Sequence, residues 1–163
     1  SGSQLESKAD ASVPEPPAAR WDAPQLAASS PITHALVVER IFADVRAARS
    51  VSKEQLKLLD FMLGDEMALS ALGLVGTKRL VCVTNRPSGR HFFSVAPSDP
   101  RSEAYRCFDG ICTCPDFAFN VLQRGRKLFC KHVLAVRLAQ SLDRYFVKYV
   151  DSVEFVHSMA TAP

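Results

Sequence analysis

Cys112-Thr113-Cys114 and Cys130-Lys131-His132 put four metal-ligating side chains into two pairs, each split by a single residue, with fifteen residues between the pairs. A thiolate is a soft donor and imidazole a borderline one, and three sulfurs with one nitrogen in a tetrahedron suit zinc. In extended backbone, residues i and i+2 point the same way, so Cys112 and Cys114 can face one ion together. Cys130 and His132 can do the same if the chain enters a helix between them. Four protein ligands fill the tetrahedron, and the expectation is one structural Zn2+ with no place for a reacting water. The cluster is formally −1 with the ion bound, and Lys127 and Lys131 flank the second pair where they can offset that charge.

These pairs need elements to carry them. Arg79–Thr84 (RLVCVT) and His91–Val95 (HFFSV) read as strands of a hairpin around Arg86-Pro87-Ser88-Gly89-Arg90. Glu103–Phe108 (EAYRCF) is a third strand, and Asp109-Gly110 is a tight-turn dipeptide leading to Cys112. Pro115–Gln123 suits a short helix with Pro115 at its first position. Arg124–Lys127 is a break, and a long helix is expected from Lys131 to about Lys148, with Leu134, Leu138, Leu142 and Tyr145 on one side. Residues 152–158 add a final turn. Cys82 and Cys107 lack a paired neighbour and read as buried small hydrophobes, with Cys107 the better candidate for a further thiol near the ion.

Upstream, Ser30-Pro31 has the N-cap and first-position chemistry of a helix start, and Val38, Ile41, Phe42 and Val45 form its apolar stripe. A second helix opens at Ser52 with Gln55 at capping-box spacing, carrying Leu56, Leu59 and Leu63 to Gly64. Asp65 can cap a short third helix through Ala71. These stripes serve either the core or a docking surface. Residues 1–30 are rich in Ala, Ser and Pro and read as a flexible tail. Trp21 within it is either a partner anchor or incidental. The organisation is thus a tail over 1–30, a helical segment over 31–75 and a strand-and-metal unit over 76–158.

Composition narrows the function classes. No apolar run approaches the ~20 residues of a membrane span. Five cysteines, an odd number, without an apolar leader argue against a disulfide framework and for a reducing compartment. Residues 1–75 carry 7 Lys/Arg against 10 Asp/Glu, whereas residues 76–150 carry 13 against 5. That basic half either attracts a polyanion such as nucleic acid or is a solvated face. Arg124, Arg126, Lys127, Lys131 and Arg137 cluster beside the metal ligands as possible DNA contacts. No aromatic alternates with them, so direct binding would be weak, backbone-directed and salt-dependent. Gly76-Thr77-Lys78 lacks Walker A spacing, and a non-enzymatic role is expected.

The pattern C-x-C, spacer, C-x-H resembles the SWIM zinc-finger family, here on Cys112, Cys114, Cys130 and His132. An alanine three residues after the histidine marks the recombination-linked branch, and Ala135 stands there. CPDFAFNVL and LFCKHVLAVRLAQ look like the small SWIM-domain subunits of Shu complexes. The elements read above give an α+β fold: N-terminal helices, a small antiparallel sheet, and a SWIM-type ββα zinc finger with a long C-terminal helix. The resemblance implies heterodimerisation with a RecA-like recombinase paralogue and support of recombinase filaments on single-stranded DNA. The implied process is homologous recombination and double-strand break repair, in the nucleus and away from membranes.

Overall fold

The computed structural model describes residues 34–160, except 65 and 100. The expected helix start at Ser30-Pro31, Trp21 and the Asp65 cap lie outside the described residues. Helices α1 (His34–Ala48), α2 (Lys53–Leu63) and α3 (Met67–Leu72) come first. Strands β1 (Leu80–Asn85), β2 (His91–Val95), β3 (Tyr105–Phe108) and β4 (Ile111–Cys112) follow. A π-helical segment (Phe117–Gln123), helix α4 (Lys131–Leu142), strand β5 (Phe146–Val150) and helix α5 (Ser152–Ala160) complete the chain. The class is mixed α+β, as expected. No helix among the described residues is long and apolar enough to cross a membrane.

Local chemistry explains several boundaries. Ser52 closes a full capping box: its hydroxyl accepts from the Gln55 N–H at 3.1 Å, and the Gln55 side chain accepts from the Ser52 N–H at 2.8 Å. Asp109 and Gly110 both have positive φ, 35° and 88°, the two-residue turn whose twist matches a hairpin. That turn dictates the β3–β4 register, Phe108 opposite Ile111 and Cys107 opposite Cys112.

The sheet order is β4-β3-β2-β1-β5. Four strands pair antiparallel, but β5 lies parallel to β1, from Val81 opposite Phe146 to Asn85 opposite Val150. The expected helix to Lys148 is therefore corrected: α4 stops at Leu142, and Asp143 caps it in the left-handed conformation. Leu134, Leu138 and Leu142 are buried as expected, whereas Tyr145 has left the helix and sets its ring edge-on to Phe93, 5.3 Å away. Phe146-Val147-Lys148-Tyr149-Val150 is β-branched and aromatic, so the ladder with β1 prevails over a helical spacing it happens to fit. The expected short helix over 115–123 forms, but from Phe117 it is wound wider, with the Arg124 N–H donating to Phe119 O five residues back.

Strand alternation gives the sheet two unlike faces. One turns Leu80, Cys82, Phe93, Val95, Cys107 and Val147 into a single core with α1, α3 and α4. The opposite face carries Val83, Phe92 and Val150, covered by Phe155 of α5. Arg106 reaches across that face, and its Nε donates to Ser158 O at 2.7 Å near the end of α5. Val38, Ile41, Phe42 and Val45 are all buried, so the α1 stripe is core rather than docking surface.

Candidate metal centre

Cys112 ends β4, and Cys114 follows in the turn before the π-helical segment. Cys130 is the N-cap of α4, with extended backbone (φ −86°, ψ 165°), and His132 sits in the first helical turn. This helix entry between two ligands brings the pairs together. One donor atom from each of Cys112, Cys114, Cys130 and His132 lies within 4.8 Å of the other three. Cys112 Sγ is 3.8 Å from His132 Nδ1, so Nδ1 is the ring nitrogen turned toward that sulfur. Tetrahedral Zn–S and Zn–N bonds of ~2.3 and ~2.0 Å require edges of roughly 3.5–3.8 Å, so the set needs little adjustment to close on one ion.

The backbone is arranged for anionic sulfur. Cys114 N–H points at Cys112 Sγ (3.4 Å), Phe117 N–H at Cys114 Sγ (3.3 Å) and Val133 N–H at Cys130 Sγ (3.4 Å). Each such bond favours the thiolate over the thiol. Among the three sulfurs, Cys114 is held well below the usual thiol range, first by the Cys112 S–H and then by that of Cys130. Cys112 is pushed up, by the neighbouring Cys107 thiol and then by Cys114; Cys130 is pushed up by Cys112 and Cys114. An ion bound there would supply the charge that lets all three ionise, so loading would release protons and weaken as pH falls. The donor set therefore fits zinc. Bound there, the ion would act as a crosslink between β4 and α4.

Supporting groups fix the ligands in place. The Tyr105 ring lies against the His132 imidazole, centroids 4.6 Å apart and tilted by 31°. Asp116 accepts from Asn120 Nδ2 at 2.7 Å and pairs with Lys127 Nζ at 3.3 Å, tying the loop between the ligand pairs to itself. Ala135 is fully buried one turn beyond His132. Sequence reasoning missed Tyr105; Cys107, read as core and as the better candidate for a further thiol at the site, is both buried in the core and opposite Cys112. The Asp109-Gly110 turn contained the signal for Cys107, because a two-residue hairpin pairs 107 with 112.

The basic cluster divides. Arg124, Arg126 and Lys131 are exposed, and Lys127 is half-buried in its pair with Asp116. Arg137 is corrected outright as a phosphate contact. It is 14% exposed, bonds Glu39 Oε2 through Nη2 at 2.6 Å, and lies over the Phe42 ring at 4.2 Å and near Phe129 at 5.0 Å. It joins α4 to α1. Arg124 instead lies over the exposed Phe119 ring at 4.0 Å, so an aromatic does accompany the surface cations, brought there by the helical winding.

The SWIM zinc finger family model matches residues 112–140, which spans all four ligands and α4 up to its last two residues. A zinc finger SWIM domain-containing protein 7 of Danio rerio is 35% identical over 133 residues, 78% of this chain and 92% of the relative. The chain belongs to the zinc finger SWIM domain-containing protein 7 family. The Homo sapiens member is 36% identical over 110 residues, covering 64% of this chain and 76% of the relative. A homolog in Dictyostelium discoideum is 25% identical over 122 residues, 74% of this chain and 76% of the relative. No solved structure gives a significant match. The SWIM ligands of this family member are thus the four residues that the fold gathers, and the cluster can bind one zinc ion.

Proposed function

We propose that this chain is the structural, zinc-binding subunit of a Shu-type complex, pairing with a RecA-like recombinase paralogue. Through that pair it promotes recombinase filament assembly in homologous recombination and double-strand break repair, in the nucleus. The observation that carries this reading is the closed Cys3His set joining β4 to α4 in a member of this family. Four protein ligands leave the ion no position for a reacting water, which favours a non-catalytic role.

With the α1 stripe in the core, the partner needs another surface. Leu58 and Phe61 lie one turn apart on α2, and Phe61 is 87% exposed. A chain that pairs with another protein has a use for such a residue, which in solution alone costs apolar hydration. Phe61→Glu is expected to weaken capture of the co-expressed RecA-like paralogue at least tenfold, with zinc content and melting temperature unchanged. Retained capture would move the interface elsewhere.

A second reading, direct contact with nucleic acid, is favoured by Arg124 stacked on Phe119 beside exposed Arg126 and Lys131. A base can stack on such a platform while cations meet phosphates. The triple reversal Arg124→Glu, Arg126→Glu, Lys131→Glu separates the readings. On the first it spares partner capture and only trims DNA association of the complex; on the second it weakens DNA association strongly and flattens the salt dependence of what remains.

A further inference from the structure

A fourth thiol stands against the metal ligands. Cys107 on β3 is directly opposite Cys112 on β4, and both turn toward the helix-covered face. The adjacent pair Arg106/Thr113 is hydrogen-bonded, with the Thr113 N–H donating to Arg106 O at 3.0 Å. Alternation along the ladder makes Cys107/Cys112 a non-hydrogen-bonded pair, the class with the closer approach, about 4.5 Å between Cα atoms. That is inside the ~4.4–6.8 Å span across which a disulfide closes without backbone movement. Cys107 also lines a cavity of about 280 Å³ between the sheet and α4, whose wall includes Phe93, Phe117, Phe129 and Val133. The cavity brings a small neutral oxidant to Cys107, beside the Cys112 sulfur that stands opposite it on the neighbouring strand.

We propose that Cys107 and Cys112 form an oxidative modification site, in which hydrogen peroxide converts the pair to a cross-strand disulfide and releases the zinc. Cys112 Sγ attacks one peroxide oxygen with the electron pair it had given to the ion. The O–O bond breaks, hydroxide leaves and is protonated by solvent, and Cys112 becomes a sulfenic acid. The Cys107 thiol then attacks that sulfur. The S–O bond breaks, and its hydroxide departs as water with the Cys107 proton. The two sulfurs lose two electrons in all, one peroxide becomes two waters, and zinc stays divalent. With Cys112 lost, the ion keeps three ligands and dissociates. Reduction of the disulfide restores the fourth. Cys107 thus keeps Cys112 from proceeding to the irreversible sulfinic acid.

The test treats zinc-loaded full chain with hydrogen peroxide, follows release with a chromogenic zinc indicator, and maps disulfides after cleavage before aspartates. Cleavage at Asp109 puts Cys107 and Cys112 on different peptides. The expected result is one Cys107–Cys112 link per zinc released, with full zinc rebinding after dithiothreitol. Cys107→Ser is expected to recover less than half of its zinc after the same cycle, with a 32 Da sulfinic adduct on Cys112. Zinc release with links confined to Cys112, Cys114 and Cys130, or release without any disulfide, overturns the proposal. The wild-type map decides this even if the serine variant folds poorly.

Discussion

Replacing Cys130 by alanine is expected to cost about 5 kcal/mol or more of stability, enough to remove most of what holds a small domain folded, ~5–15 kcal/mol in all. Three roles fail together. Cys130 is a metal ligand, it is fully buried, and its sulfur accepts the Val133 N–H at the start of α4. Structural zinc in isolated finger peptides contributes ~10–16 kcal/mol of apparent binding energy, all linked to folding. Here α4 also holds a core through Val133, Leu134, Leu138 and Leu142, so part of the fold can outlast the metal. Thermal melts followed by circular dichroism, with and without a strong chelator, measure the effect. Wild type with chelator should approach the variant, and the variant should not respond to chelator. Cys82→Ala, buried in β1 and outside the ligand set, should keep its zinc and serve as the control.

Arg137→Ala is expected to destabilise by about 2–3 kcal/mol, somewhat below the ~3–5 kcal/mol of breaking a fully buried pair because both partners keep some solvent. The loss has two parts. Glu39 is left half-buried without its guanidinium, and Phe42 loses the cation that covers its ring. Arg137→Met, which retains an unbranched stem, should recover the packing share only. Arg126→Ala, at an exposed position in the loop before α4, should stay within ~0.5 kcal/mol of wild type. Urea denaturation of the three variants checks the order. An Arg137→Ala as stable as Arg126→Ala would place the guanidinium outside the α1–α4 contact.

What could be read from the chain in advance was whatever rests on near neighbours. The capping box at Ser52, the Asp109-Gly110 turn and the two ligand pairs depend on residues a few positions apart, and each forms as its chemistry requires. β5 depends on β1, some 65 residues earlier, and Tyr145 fits the helical spacing of Leu138 and Leu142 well enough to hide the change of element. Arg137 reads as a surface cation until α1 is laid beside it, and then Glu39 and Phe42 claim it. The α1 stripe could serve a docking surface only while the sheet is taken to have its own core; in the fold both fill one core. Ligand identity was therefore accessible from spacing alone, and the thiol behind the ligands from the register that the Asp109-Gly110 turn sets.

The central claim is that one ion joins the end of β4 to the start of α4 through three sulfurs and one imidazole nitrogen. Zinc-edge X-ray absorption on the purified chain, with elemental analysis of the same sample, tests it most directly. The expected result is one zinc per chain with three sulfurs at about 2.3 Å and one nitrogen at about 2.0–2.1 Å. A folded chain without zinc, or an ion bound with an oxygen ligand in place of one of the four, would contradict it.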